Sequence, residues 1–100
     1  MPQLTLAALQ RLIHDRYYAT DSARGTPATF MWFIEEIGEL STALASNAPD
    51  RSPTPEQRDN LLEEFADVLA WLCTLANING VDLERALEKY TVRGVSGEKL

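Results

Sequence analysis

The stretch that decides the fold is residues 54–79, TPEQRDNLLEEFADVLAWLCTLANIN. It opens with Thr54 and Gln57 at the spacing of a capping box, and Pro55 stands at the first helical position. Gly80 follows the stretch and is typical of the end of a helix. Residues 54–79 therefore predict one long α-helix.

Apolar residues recur along this helix at helical spacing and predict a buried arc. The arc comprises Leu61, Phe65, Val68, Leu72 and Leu75, and it reaches as far as Trp71 and Ile78. Glu64 falls inside this arc, and Asp67 lies on its edge, about 60° from Glu64. A carboxylate at the boundary of a core is costly unless something compensates its charge.

A second acidic group lies on the preceding helix, which we predict over residues 26–46. Thr26 and Pro27 fit the N-cap and the first-position proline of this helix. A single arc of about 100° on it holds three glutamates and a tryptophan, namely Glu35, Glu36, Glu39 and Trp32. Two neighbouring antiparallel helices can therefore direct four or five carboxylates into one space.

Cations that would neutralise these carboxylates are scarce, because helices two and three contain one basic residue, Arg58. A divalent metal ion is an alternative compensator. Oxygen ligands without His or Cys suit Mg²⁺, with Mn²⁺ as a possible substitute, and argue against zinc. The residues alone leave two interpretations open: a metal site, and an acidic patch that is solvated or covered by a partner.

The N-terminal part of the chain predicts a first helix over residues 5–19, with Thr5 as its cap. Residues 20–25 read as a turn-like linker, in which Arg24 either pairs with Asp21 or reaches a phosphate. The clearest loop is residues 47–53, because it combines Asn, Asp, Ser and two prolines.

The C-terminal part predicts a short fourth helix, capped by Asp82 and ending near Arg93 and Gly94. Residues 95–100 are expected to form a loose tail. No stretch shows strong strand alternation. The chain is therefore predicted to be all-α, with a four-helix bundle-like domain over residues 1–94.

Composition excludes some classes of function. The net charge is −6, from 9 Lys and Arg against 15 Asp and Glu, which argues against binding to a nucleic-acid backbone. The longest apolar runs are too short to span a bilayer. The single cysteine, Cys73, excludes an intrachain disulfide and has apolar neighbours, so we expect a packed thiol. With no secretory signal, the chain is expected to be cytoplasmic.

The acidic residues and their surroundings resemble the MazG-type family of all-α nucleoside triphosphate pyrophosphohydrolases. The hallmark of that family is E-E-x-x-E followed by E-x-x-D, which here is Glu35-Glu36-x-x-Glu39 and Glu64-x-x-Asp67. The flanking residues, FMWFIEEIGEL at 30–40 and EEFADVLAWL at 63–72, are also similar to family members. The resemblance covers residues 10 to 93.

The resemblance implies hydrolysis of a nucleoside triphosphate between its α and β phosphates, giving a monophosphate and pyrophosphate. It also implies a divalent metal, Mg²⁺ or Mn²⁺, and assembly into a homodimer or a dimer of dimers. Glu35 would bind a further ion, or orient and deprotonate the attacking water. The metal ligands would be Glu36, Glu39, Glu64 and Asp67.

Three residues are candidate substrate contacts. Trp32 either stacks on a nucleobase or packs at a subunit interface. Lys89 and Arg93 lie on one stripe of the fourth helix with Arg85, where they either contact phosphates or remain solvated.

Two other functions are compatible with these features. One is a phosphoribosyl-ATP pyrophosphohydrolase, an enzyme with similar acidic helices and the same type of reaction. The E-E-I-G-E-L motif of this chain is closer to the MazG group. The other is a helical interaction module whose acidic patch docks a basic protein, which predicts no dependence on metal.

Overall fold

The computed structural model describes residues 3–91, which form four α-helices and no strand. The all-α prediction is confirmed. In chain order the helices are α1 (Leu6–Arg24), α2 (Thr26–Ser46), α3 (Pro55–Ile78) and α4 (Leu83–Ala86). Short 3₁₀ turns occur at Pro49–Arg51 and at Leu87–Tyr90. None of the helices in the described part of the chain is long and apolar enough to cross a membrane.

The first helix is longer than predicted. Thr5 caps it as expected, accepting a hydrogen bond from the backbone N–H of Ala8 at 3.0 Å. The helix then continues through residues 20–24, so the prediction of a linker at 20–25 was wrong. The last turn is held by an ion pair between Asp21 and Arg24, three residues apart on one face. Gly25 alone separates α1 from α2.

The second helix begins at Thr26, one residue earlier than predicted, because Thr26 was expected to be its N-cap. Gly25 is the N-cap, and Thr26 is the first helical residue rather than the cap. The Thr26 hydroxyl instead accepts a hydrogen bond from Asn79 Nδ2 at 3.1 Å. Pro27 is therefore the second helical residue and not the first, whereas the helix ends at Ser46 as predicted.

The third helix confirms its sequence signals. Gln57 N–H donates to Thr54 Oγ1 at 3.1 Å, and Thr54 N–H donates to Gln57 Oε1 at 2.8 Å, which completes the capping box. Asn79 is the C-cap, and Gly80 follows it with a φ of 66°, a left-handed conformation that glycine adopts without strain.

The fourth helix is capped by Asp82, whose carboxylate accepts from the N–H of Glu84 at 3.0 Å. Its α-helical part is a single turn, because the chain tightens into a 3₁₀ turn from Leu87. The predicted end near Arg93 and Gly94, and the tail at 95–100, lie outside the described residues.

Packing places α3 between the other two long helices, since both α1 and α2 lie against it. The buried apolar positions are few and comprise Ile13, Ala43, Leu61, Ala76 and the predicted packed thiol Cys73. Two members of the arc predicted on α3 are exposed: Phe65 is 53% exposed and Leu72 40%. Each of the two directly follows a residue that faces α2. One residue corresponds to a rotation of about 100° around the helix axis, so both side chains lie on a face that no described helix covers.

Candidate metal centre

Two glutamates occupy the contact between α2 and α3. On α2, Thr29 and Ala43 are buried, and Glu36 lies midway between them at the same seven-residue spacing. On α3, Glu64 follows the buried Leu61 by three residues. This spacing returns to the same face of a helix, so both glutamates lie where apolar side chains would otherwise pack.

Three carboxylates converge there. One oxygen each from Glu36, Glu64 and Asp67 lies within 4.8 Å of the other two. Glu36 Oε2 and Glu64 Oε1 are sealed from solvent and have no hydrogen-bond partner. Asp67 is exposed, so the group opens to solvent on its side. We call Glu36, Glu39, Glu64 and Asp67 the acidic cluster.

The electrostatics of the acidic cluster are unfavourable without a counter-charge. Burial raises the pKa of Glu36, and the charges of Glu39, Asp67 and Glu64 raise it further. Burial likewise raises the pKa of Glu64, with further contributions led by Glu39 and Asp67. Both shifts have the sign expected when charged groups are desolvated beside like charges.

The side chains of residues 3–91 do not supply that counter-charge. Within residues 3–91 the ion pairs shorter than 4.0 Å are Asp21 with Arg24 and His14 with Asp15, and neither involves the acidic cluster. Arg58, the one basic residue of α2 and α3, donates to Asn47 Oδ1 at 3.4 Å instead.

A divalent cation fits this arrangement. The donor atoms are carboxylate oxygens, two of them buried and unpartnered, and hard oxygen ligands of this kind suit Mg²⁺ or Mn²⁺. A bound cation would stabilise the ionised forms of Glu36 and Glu64 and so lower their pKa values again.

Glu39 and Glu35, the other two predicted acidic residues, are not among the three converging carboxylates. Glu39 is exposed, and its charge raises the pKa of both Glu36 and Glu64, so it lies at the edge of the group. Glu35 is exposed and does not belong to the three converging carboxylates.

The structure describes two of the three predicted substrate contacts, Trp32 and Lys89. Trp32 is 54% exposed, and its ring lies 5.8 Å from that of Trp71 between centroids. Lys89 Nζ lies 5.4 Å from the ring centre of Tyr90. Arg93 lies outside the described residues.

A second polar group, whose importance was not predicted from the sequence, lies where α1 meets α2 and α3. Asp21 is buried, 6% exposed, and accepts a hydrogen bond from Arg24 Nη2 at 2.7 Å. Arg24 Nε donates to the buried Thr29 Oγ1 at 2.9 Å, and its guanidinium lies over the Trp71 ring. The sequence signal for this pair is the Asp-x-x-Arg spacing. Because residues 20–25 were predicted to be a linker, the two side chains were not expected to share one helical face.

Residues 25–94 match the model of the MazG nucleotide pyrophosphohydrolase domain. The match includes α2, α3 and every member of the acidic cluster.

Proposed function

The chain belongs to the MazG nucleotide pyrophosphohydrolase family, and from that premise we propose that it hydrolyses nucleoside triphosphates between the α and β phosphates. The products are a nucleoside monophosphate and pyrophosphate. The reaction depends on Mg²⁺, with Mn²⁺ as a possible substitute, and takes place in the cytoplasm, where its substrates are found.

One observation carries this proposal. Glu36 Oε2 and Glu64 Oε1 are buried without a partner and converge with an Asp67 oxygen. An acidic patch that was merely solvated would leave these oxygens in water, so the solvated alternative does not explain them. A nucleotide site explains them, because a cation held between the carboxylates also attracts the phosphates of the substrate.

The acidic residues would have two roles, binding the cation and activating the attacking water. Glu36, Glu39, Glu64 and Asp67 would hold the cation, which when bound neutralises phosphate charge and lowers the pKa of a coordinated water. Glu35 is exposed beside them on α2, and its carboxylate is free to orient the attacking water and accept its proton, or to bind a further ion.

Substrate binding would involve residues outside the acidic cluster. Trp32 exposes half of its surface and can stack on a base or pack against a second subunit. Lys89 and Arg93 would contact phosphate oxygens and offset the negative charge that the acidic cluster presents to the substrate.

A pyrophosphate-release assay tests the proposal. We expect turnover of at least one common nucleoside triphosphate that requires Mg²⁺ or Mn²⁺. Residues that merely orient a metal ligand contribute about 10- to 100-fold to activity, so removing a ligand by Glu36→Gln or Asp67→Asn should lower kcat/KM by about 100-fold or more. Asp59→Asn removes an exposed carboxylate from the same helix as Asp67 and should leave activity unchanged.

Two results would contradict the proposal. One is a wild-type protein that is inert across a panel of triphosphates and shows no metal-induced rise in melting temperature. The other is turnover that is confined to phosphoribosyl-ATP, which would reassign the substrate class.

A further inference from the structure

A cavity of about 400 Å³ lies between α1 and α3, the helix that also carries Glu64 and Asp67 of the acidic cluster. Its walls include Tyr17, Asp21 and Arg24 from α1, and Ala70, Trp71 and Thr74 from α3. Trp71 follows Asp67 by four residues, so the two side chains share a helical face about 6 Å apart along the axis. A substrate whose phosphates reach the acidic cluster would therefore place its organic part at this cavity.

The cavity suits a flat aromatic ring. Its volume is within the range of about 300–1,000 Å³ that is typical of small-molecule sites. Tyr17 and Trp71 line it from opposite helices, and the Arg24 guanidinium carbon lies 5.3 Å from the centre of the Trp71 ring. Aromatic side chains of this kind stack on any nucleobase, so they favour binding without selecting one base.

Asp21 supplies the selective element. Its Oδ1 accepts from Arg24 Nη2, and Arg24 is itself held by Thr29, so the carboxylate has one fixed orientation. Within residues 3–91 the Asp21 side chain makes no further hydrogen bond, which leaves Oδ2 as an acceptor at the wall of the cavity. A buried charged acceptor favours a ligand that donates to it and disfavours one that presents another acceptor.

We propose that Asp21 determines the base specificity of the enzyme by accepting a hydrogen bond from an exocyclic amino group. This inference rests on the proposed function, because it presupposes a nucleotide substrate. Cytosine, adenine and guanine carry such an amino group, whereas uracil and thymine carry a carbonyl oxygen at the position of the cytosine amino group. The ring N–H of uracil lies between two carbonyl oxygens, which the carboxylate repels.

The test compares CTP with UTP, which differ in this edge of the base alone. We expect wild-type kcat/KM to favour CTP, and Asp21→Asn to lower the CTP/UTP ratio by about 10-fold, the effect of one hydrogen bond to a charged group. Asp15→Asn removes a 66% exposed carboxylate from the same helix and should leave the ratio unchanged. A ratio unaltered by Asp21→Asn, with turnover intact, overturns the inference. Absence of turnover of any triphosphate would overturn the proposed function instead.

A second variant reaches the cavity without removing the Asp21–Arg24 pair, which also supports the fold of α1. Ala70→Leu partly fills the cavity and should raise KM for CTP and UTP on the order of 10-fold, through the loss of base stacking. Methyl triphosphate has no base, so its hydrolysis should stay at the wild-type level. An unchanged KM for CTP in folded Ala70→Leu, or an equal effect on methyl triphosphate, contradicts a base-binding role for the cavity.

Discussion

Glu36 and Glu64 stand where two helices would normally pack apolar side chains against each other. Each has one oxygen without a hydrogen-bond partner and out of contact with water. Such groups destabilise a folded chain, and they are retained where they contribute to binding or catalysis. In this protein the same burial that raises their pKa values would also exclude water from a cation bound between them.

These raised pKa values predict the pH dependence of stability. Because the pKa of Glu64 is higher in the folded protein than in the unfolded chain, the folded form binds the proton more tightly. The resulting stabilisation is complete below the ordinary value of 4.5 and is lost as the pH rises through the raised pKa. The melting temperature of the metal-free protein should therefore contain a contribution from Glu64 that falls over this interval.

The variant Glu64→Gln isolates that contribution. We expect a higher melting temperature than wild type at neutral pH without metal, a flatter pH dependence, and a smaller rise on addition of Mg²⁺. The amide removes a buried charge and can donate to a neighbouring carboxylate. Asp59→Asn, on the same helix but exposed, should reproduce none of these changes. A melting temperature of Glu64→Gln below that of wild type in metal-free buffer would argue against a destabilising charge.

Among the elements, the junction between α1 and α2 is a single residue with a positive φ. Gly25 alone connects two helices of 19 and 21 residues, with φ 84° and ψ 169°. Only glycine adopts this region without strain. The junction also sets the direction of α2, and it lies next to Arg24, which reaches both Asp21 and Thr29.

Substitution of this glycine should destabilise the fold through the backbone alone. A Cβ atom at Gly25 would meet nothing within 4 Å, so the effect of Gly25→Ala is conformational strain of about 1–3 kcal/mol. Gly38→Ala is the matched control, because Gly38 lies inside α2, also without neighbours within 4 Å. Alanine is the better helix former there, so Gly38→Ala should stabilise the protein by about 1 kcal/mol. Urea unfolding measures both values, and equal effects of the two variants would refute the role given to Gly25.

The whole molecule leaves a large apolar surface uncovered. We call it the apolar face, and it comprises Phe30, Ile34, Ile37 and Leu44 on α2, and Leu62, Phe65, Leu69 and Leu72 on α3, each at least 38% exposed. These residues follow one another at intervals of three, four or seven positions, and each set is offset by one residue from the α2–α3 contact. In an antiparallel helix pair such positions project from the same side, and α1 packs against α3 on the other. An exposed surface of this kind marks an interaction site.

We propose that a second copy of the chain covers the apolar face, which would give the homodimer or dimer of dimers implied by the family resemblance. Leu62 is 68% exposed on this face, and Leu62→Glu would place a charge in the interface. We expect this variant to weaken self-association by about 10-fold or more in sedimentation velocity. Leu87→Glu, at a 47% exposed leucine outside the apolar face, should leave the association unchanged. A wild-type protein that sediments as a monomer at all concentrations would contradict the proposal.

Much of this architecture was predictable from local patterns. The capping box at Thr54 and Gln57, the helix end at Gly80 and the cap at Asp82 involve residues close together in the chain, so their signals are complete in the sequence. The extension of α1 through residues 20–24 was not predicted, because it depends on Arg24 bonding to Thr29 of the next helix and stacking on Trp71 of α3. Contacts between elements override weak local propensity.

In the acidic cluster, too, some features were predictable from the sequence and others were not. Residue types and spacing by themselves determined that carboxylates from two helices can meet, and that oxygen ligands suit a hard divalent cation, because both follow from helical periodicity and ligand chemistry. Only the tertiary structure decided that one oxygen each of Glu36 and Glu64 is buried while Asp67 faces solvent, that Asp21 borders a cavity, and that Phe65 lies uncovered. Periodicity assigns a residue to a side of its own helix, whereas the helices packed against that side decide whether water reaches it.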